Sequence, residues 1–115
     1  MIERNNYIHY KNTWYWGYTI TLVRKDGYAT VELQFDDSLP NQAVIKGLMV
    51  FTTMQRKGIG TELINICHMI ARENGCSFLQ LSVTRDKEWL VEWYERFGFT
   101  IIAQDSHEFT MIKAI

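Results

Sequence analysis

The spacing of the apolar residues changes at Gly58, and this change constrains the fold more than any other feature of the sequence. Before Gly58, two stretches joined by Asp26-Gly27 alternate apolar and polar residues, which is typical of strands with one buried face. After Gly58, apolar residues recur every three or four positions as far as Ile70, as in an amphipathic helix of about four turns. The pattern therefore predicts a β-hairpin over residues 18–35 and a helix that starts near Gly58.

The rest of the chain adds strands and one more helix. The further strands are predicted at residues 43–51, 77–83, 99–103 and 108–114, and the further helix at residues 86–98. The strand at 43–51 is apolar on both faces apart from Lys46, as a central strand is, and the strand at 77–83 is predicted to be another buried strand. The chain is therefore expected to form one domain, 1–115, of mixed α/β (α+β) class, with helices packed on a mixed sheet.

Charge and composition argue against several classes of protein. Twelve Lys and Arg against thirteen Asp and Glu give a net charge of −1, which is too little positive charge for a nucleic-acid partner. No apolar run approaches the ~18 residues of a membrane span, and the polar N-terminus lacks the apolar segment of a signal peptide. Cys67 and Cys76 do not have metal-ligand spacing. We therefore expect a cytoplasmic protein with no metal site and no membrane partner.

A glycine-rich segment, QRKGIGTEL at residues 55–63, joins the strand at 43–51 to the first helix. Unpaired amides at a helix N-terminus favour an anion, and glycines let a phosphate group approach the backbone closely. The segment lacks the Gly-Lys-Ser/Thr of a P-loop, and Leu63 stands where a dinucleotide-binding fingerprint needs its third glycine. Two interpretations remain: a phosphate-binding loop of another kind, or a glycine-rich turn without a ligand.

Two segments of the chain occur together in one known family. Residues 48–64, LMVFTTMQRKGIGTELI, contain a strand followed by Gln55, Gly58 and Gly60, and residues 93–99, WYERFGF, contain a tyrosine followed by a glycine-aromatic pair. They resemble motifs A and B of the GNAT superfamily of acetyl-CoA-dependent N-acetyltransferases. The resemblance covers residues 43–115, and it implies a GNAT-like, mostly antiparallel twisted sheet of about six to seven strands with two main helices.

The resemblance also implies how acetyl-CoA would bind. The residues that it assigns to this substrate are Leu48, Met49, Val50, Gln55, Arg56, Lys57, Gly58, Ile59, Gly60 and Thr61. The amides of the loop would hold the pyrophosphate, and the strand before it would offer backbone groups to the pantetheine arm. The two strands that end near Val50 and Val83 would have to separate to admit this arm. Arg56 and Lys57 would add positive charge, although both are equally explained as solvated loop residues.

Two residues are candidates for the chemistry of acetyl transfer to a primary amine. The resemblance implies that Tyr94 donates a proton to the leaving thiolate, and the alternative is that Tyr94 is a core aromatic. Glu32 is the first candidate for the general base, with His107, the loop carboxylates Asp36 and Asp37, or a chain of water molecules as alternatives. The chain departs from the family pattern at Lys87, where an asparagine is usual, so contacts from this helix to the substrate are in doubt.

The N-terminal region departs most from the family. Family members usually have a strand and two helices before the hairpin, whereas only about 17 residues precede it here. The aromatic residues of this segment, including Trp14, Tyr15 and Trp16, could form an edge strand, cover the sheet, or contact a second subunit in a homodimer. An open acceptor site favours a protein or another large amine. Two other functions stay open: a non-catalytic acyl-CoA binding or regulatory module, and an interaction protein that retains only the fold.

Overall fold

The computed structural model describes residues 4–52 and 55–115. Within them lie seven strands and two α-helices: β1 (Tyr7–Trp14), β2 (Gly17–Arg24), β3 (Ala29–Asp36), β4 (Gln42–Val50), α1 (Ile59–Glu73), β5 (Phe78–Thr84), α2 (Leu90–Glu95), β6 (Thr100–Gln104) and β7 (Glu108–Ala114). Short 3-10 turns, Arg4–Asn6 and Arg85–Lys87, precede β1 and follow β5. The expected mixed α/β class, with about seven strands and two helices, is confirmed.

The strands form one sheet in the order β1-β2-β3-β4-β5-β7-β6. All neighbouring pairs are antiparallel except β4 and β5, which are parallel and are joined through α1. The N-terminal aromatic segment forms β1, which pairs with β2 and lies at one edge of the sheet. Of the three interpretations of this segment, the edge strand is therefore the one seen in the described chain.

The hydrophobic core lies on one face of the sheet, which we call the core face. In β3, for example, Ala29, Val31, Leu33 and Phe35 are buried, whereas the residues between them are only half-buried. Helix α1 packs over β3, β4 and β5 on this face. The other face, which we call the open face, carries Glu32 and the other residues between the buried ones. No helix of the described chain covers it.

The open face makes the expectation of two buried central strands wrong, since β5 buries only Leu79, Leu81 and Val83. Strand 43–51 was expected to be buried on both faces, but only Ala43 and Ile45 of β4 are fully buried, on the core face. Lys46 is exposed, and the side chain of Met49 is 59% exposed. The cause is architectural, because burial of the second face of a sheet needs a second packed layer.

The second helix is shorter than the sequence pattern indicates. The pattern spans residues 86–98, whereas α2 has six residues and follows the 3-10 turn Arg85–Lys87. In the connection, the Glu88 and Val91 amides donate to carbonyl oxygens three residues earlier, at 3.3 and 3.0 Å. Apolar spacing cannot distinguish this tighter turn from an α-helix, because both present residues three apart on one side.

Gly17 brings β2 close to β3. This residue follows a two-residue turn at the end of β1. A Cβ atom at Gly17 would lie 1.9 Å from the carbonyl oxygen of Phe35, so no other residue fits without moving the backbone. Glycine at this position therefore allows the β1-β2 hairpin to approach β3 closely.

Candidate functional site

The parallel strands β4 and β5 separate along their length. Only three residues at the start of each strand form parallel pairs. β4 then continues to Val50, and β5 to Thr84, without pairing to each other. The final residues of β4 therefore present an unpaired backbone edge to a gap, in the region where the resemblance requires the strands to part.

A β-bulge accompanies this separation. Thr30 of β3 pairs with Met49 of β4, but Glu32 pairs with Lys46, so three steps along β4 oppose two along β3. Gly47 lies in the bulge, between Lys46 and Met49, and has a φ of +58°, a left-handed conformation that glycine adopts at low cost. A bulge bends its strand and increases its twist, which accounts for the divergence of β4 from β5.

The gap is a cleft of about 210 Å³. Its lining comes from β4, β5, the following 3-10 turn and α2: Ile45, Gly47, Leu48, Leu81, Ser82, Val83, Thr84, Lys87, Leu90 and Tyr94. Of the residues assigned to pantetheine, Leu48 therefore lines the cleft directly, and Met49 and Val50 extend the same strand. Lys87 also lines it, so an ammonium group stands where the family pattern has an amide side chain.

The glycine-rich loop lies between the end of β4 and α1. The Gln55 side-chain amide donates to the carbonyl oxygen of Val50 at 3.0 Å, which closes the loop against the strand. Arg56 and Gly58 both have positive φ, at 64° and 78°, and both Arg56 and Lys57 are exposed. Within residues 4–52 and 55–115, no acceptor contacts the amides of Ile59, Gly60 and Thr61. These amides are therefore free for an anion.

Gly60 has a second role that the sequence did not indicate. A Cβ atom built on this residue would lie 3.2 Å from Cζ2 of Trp93 in α2. The start of α1 therefore contacts the indole ring directly, and glycine makes this approach possible. The close approach of a phosphate group to Gly60 stays a prediction. The close approach of Trp93 to Gly60 is observed.

Tyr94 is positioned by aromatic packing and is one of the residues that line the cleft. The residue is 8% exposed, and its ring lies 4.9 Å from the ring of Trp93 and 5.9 Å from that of Phe99, both edge to face. Burial, followed by the nearby Cys67 thiol, raises the pKa of Tyr94, so the phenol stays protonated. Its hydroxyl makes no hydrogen bond to a described residue. Tyr94 is thus a core aromatic that also lines the cleft, and its role as a proton donor stays a prediction.

Cys67 is a core residue, as its position on the apolar stripe of α1 indicated. It is fully buried, and this burial raises the pKa of the Cys67 thiol to about 12. A thiol that stays protonated at neutral pH is a poor nucleophile. Cys67 therefore contributes packing to the site rather than chemistry.

The candidate bases lie in different places. Glu32 is on the open face opposite Lys46, beside the β4 wall of the cleft. Asp36 ends β3 at the far end of the strand, and His107 lies in the turn between β6 and β7. The sequence analysis missed Glu108, which pairs with Thr84 of the cleft lining and shares the open face. The alternation of β7 was the available signal, because it places Glu108 on the face opposite the buried Phe109.

The described residues contain neither a candidate metal-binding cluster nor a candidate membrane-spanning helix. No group of three or more His, Cys, Asp or Glu that could hold a metal occurs in the described residues. Likewise, no helix in this part of the chain is long and apolar enough to cross a membrane.

Comparison with known proteins identifies the family. The Acetyltransferase (GNAT) family matches residues 5–99. The chain belongs to the GNAT acetyltransferase family. The match starts at residue 5, so the family domain includes β1 and the first hairpin as well as the two motifs that begin at residue 48.

Solved GNAT structures share this fold. Nourseothricin acetyltransferase superposes with a TM-score of 0.72 at 17% identity, over 95% of this chain and 84% of that one. The IAA acetyltransferase of Bacillus cereus gives 0.72 at 19% identity, over 84% of this chain and 78% of that one. PaiA N-acetyltransferase from Thermoplasma acidophilum, solved in complex with coenzyme A, gives 0.72 at 21%, over 84% and 60%. No curated protein matches the chain in sequence.

The residues present fit the acetyl-CoA that GNAT proteins use. Three amides at the start of α1 have no acceptor in the described chain, which suits a pyrophosphate. The unpaired edge of β4 suits the amides of an extended pantetheine arm. The cleft between β4 and β5 gives this arm a path toward Tyr94.

Proposed function

We propose that the protein is an N-acetyltransferase that transfers an acetyl group from acetyl-CoA to a primary amine by direct attack in a ternary complex. One observation supports this most strongly. Tyr94, whose hydroxyl makes no hydrogen bond to a described residue, is one of the residues that line a cleft between separated parallel strands. The free amides of the glycine-rich loop lie where β4 leads into α1. These features support the proposal because a candidate anion site, a candidate channel and a candidate proton donor lie along one path.

In this proposal, the loop residues and the end of β4 hold the donor. The amides of Ile59, Gly60 and Thr61 bind the pyrophosphate, and the exposed side chains of Arg56 and Lys57 add positive charge. Backbone groups of Leu48, Met49 and Val50 bind the pantetheine arm. Gln55 supports the site indirectly, because its side chain fixes the loop to Val50.

The chemistry needs one base and one acid. The amine nitrogen forms a bond to the thioester carbonyl carbon as the carbon-sulfur bond breaks, and the amine loses one proton to a base. Tyr94 gives its proton to the departing sulfur; burial raises the pKa of Tyr94, so the phenol holds this proton at neutral pH until the sulfur departs. The candidate bases are Glu32, on the β4 side of the cleft, and Glu108, on the β5 side.

The uncovered open face supports a protein or another large amine as the acceptor, because no described helix closes it around a small molecule. Exposed aromatic residues of β1 and its turn, among them Tyr10, Trp14 and Tyr15, support a homodimer through this edge. A cytoplasmic location is part of the same proposal, in keeping with two free cysteines.

A non-catalytic acyl-CoA binding module is the second candidate. It is favoured by the absence of any carboxylate among the residues that line the cleft within the described chain. Such a module would bind CoA as tightly as an enzyme but would release none from acetyl-CoA in the presence of amines.

Thermal denaturation with acetyl-CoA tests binding first. The Tm should rise with ligand concentration, because the ligand binds only the folded chain. Lys57→Glu should weaken this rise, whereas Lys25→Glu, a matched charge reversal in the turn between β2 and β3, should not. No rise at millimolar acetyl-CoA would exclude both candidates. CoA release with a panel of lysine peptides and polyamines then separates the enzyme from the module.

A further inference from the structure

The edge strand β1 is tied to the first turn of α1. The Tyr7 hydroxyl donates a hydrogen bond to Oε1 of Glu62 at 2.7 Å. The bond is partly buried, because Tyr7 is 4% exposed and Glu62 is half-buried. Glu62 lies one turn into α1, since its amide donates to the carbonyl of Gly58 at 3.0 Å. An N-terminal residue thus fixes a carboxylate beside the glycine-rich loop.

The position of that carboxylate matters because helical side chains lean toward the helix N-terminus. An unrestrained Glu62 would extend back over the turn that contains Gly58 and Ile59. There its negative charge would interact with the same free amides that are proposed to bind the pyrophosphate, and it would repel the phosphates. The carboxylate is therefore a potential competitor of the donor substrate.

The hydrogen bond from Tyr7 is the contact that restrains the Glu62 carboxylate. The described chain contains no ion pair to Glu62. Arg24, which pairs with Tyr7 across β1 and β2, instead forms an ion pair with Asp26 at 3.1 Å. Burial, then the hydrogen bond to Glu62 and its charge, raise the pKa of Tyr7, so the phenol stays a donor at neutral pH.

We propose that Tyr7 is a positioning residue, whose hydroxyl holds the Glu62 carboxylate toward β1 and away from the phosphate-binding amides at the start of α1. The inference rests on the proposed function, because it takes acetyl-CoA as the anion that binds there. It assigns to the N-terminal strand a part in donor affinity, at a distance from the reacting atoms.

The test compares two tyrosines that contact the same helix. Tyr7→Phe removes the bond to Glu62 near the start of α1, and Tyr18→Phe removes a similar bond to Asn74, 2.8 Å long, just beyond its end. By titration calorimetry at low salt, Tyr7→Phe should raise the Kd for CoA roughly threefold to tenfold. Tyr18→Phe should leave this Kd unchanged within error.

Two further measurements separate positioning from general loosening. Acetyl-pantetheine lacks the pyrophosphate, so its Kd should be the same for the parent and Tyr7→Phe. Glu62→Gln in the Tyr7→Phe background removes the competing charge and should restore CoA affinity to the level of the Glu62→Gln single variant. The single variant retains Tyr7 and should bind CoA at least as tightly as the parent.

Each opposing result has a distinct meaning. If the parent binds CoA but Tyr7→Phe and Tyr18→Phe bind it equally, the inference is wrong while the proposed function stands. Equal weakening toward CoA and acetyl-pantetheine, or failure of Glu62→Gln to rescue, would assign Tyr7 a merely structural role. If the parent itself binds no CoA, the proposed function fails and the inference fails with it.

Discussion

Replacement of Tyr94 by phenylalanine removes one oxygen atom from a residue that lines the cleft and retains the ring. The edge-to-face contacts with Trp93 and Phe99, at 4.9 and 5.9 Å between centroids, do not involve the hydroxyl. Because this hydroxyl makes no hydrogen bond to a described residue, its loss leaves no buried partner unsatisfied. We therefore expect the free energy of unfolding to change by less than about 1 kcal/mol.

The effect on catalysis should be much larger. A general acid is worth roughly 10² to 10⁴ in rate, which corresponds to about 3 to 5 kcal/mol in the activation barrier. The phenol assists only while the carbon-sulfur bond breaks, so the loss should appear in kcat and leave the KM for acetyl-CoA nearly unchanged.

The assay is CoA release at saturating acetyl-CoA with an amine that the parent accepts, together with urea denaturation of each variant. Tyr28→Phe is the control, since this tyrosine is exposed and packs edge to face on Phe51 at the opposite side of β4. A Tyr94→Phe variant with parental kcat would show that the hydroxyl donates no proton and that Tyr94 serves packing alone.

Three further predictions concern stability and the base. Gly17→Ala should destabilise the fold by about 3 kcal/mol or more, because its Cβ would lie 1.9 Å from a carbonyl oxygen. Gly27 also has a positive φ but has open space around it, so Gly27→Ala should cost only about 1 kcal/mol in the free energy of unfolding, measured by urea denaturation. Equal costs for the two variants would contradict the close approach at Gly17. Because the pKa of Cys67 is raised, the folded chain keeps a proton that the unfolded chain loses above pH 9. The contribution of this thiol to the free energy of unfolding should therefore be constant below pH 9 and fall above it by up to about 1.4 kcal/mol per pH unit. Cys67→Ala should fall less steeply between pH 9 and 10, and an identical slope would refute this. Of Glu32→Gln and Glu108→Gln, the one that removes the base should lower kcat roughly 10²-fold or more; parental kcat values in both variants would exclude both carboxylates.

Local sequence patterns correctly predicted the secondary structure and the buried face of elements such as β3 and α1, because both depend on residues that are close in sequence. The period-two alternation of β3 and the three-and-four spacing of α1 correspond directly to one buried face in each element. The glycine-rich segment was placed correctly between a strand and a helix, because its glycines and the following apolar period are both local signals. Within α2, the same kind of signal failed, since a 3-10 turn satisfies the apolar spacing as well.

Contacts between distant residues could not be predicted in this way. The approach of Trp93 to Gly60 and the bond from Tyr7 to Glu62 join residues that are 33 and 55 positions apart, and no spacing rule links them. β4 is exposed on the open face because no second layer of the described chain packs there, and the residues of the strand itself do not indicate this. The place of Glu108 beside the cleft depends on how β7 pairs with β5.

The contact between Gly60 and Trp93 makes the two ends of the site adjust together. A side chain at position 60 would push the indole, and the indole stacks edge to face on the neighbouring Tyr94. Chains that descend from a common ancestor with this one should therefore change these two positions in concert: an alanine at position 60 should accompany a smaller ring or an aliphatic residue at position 93.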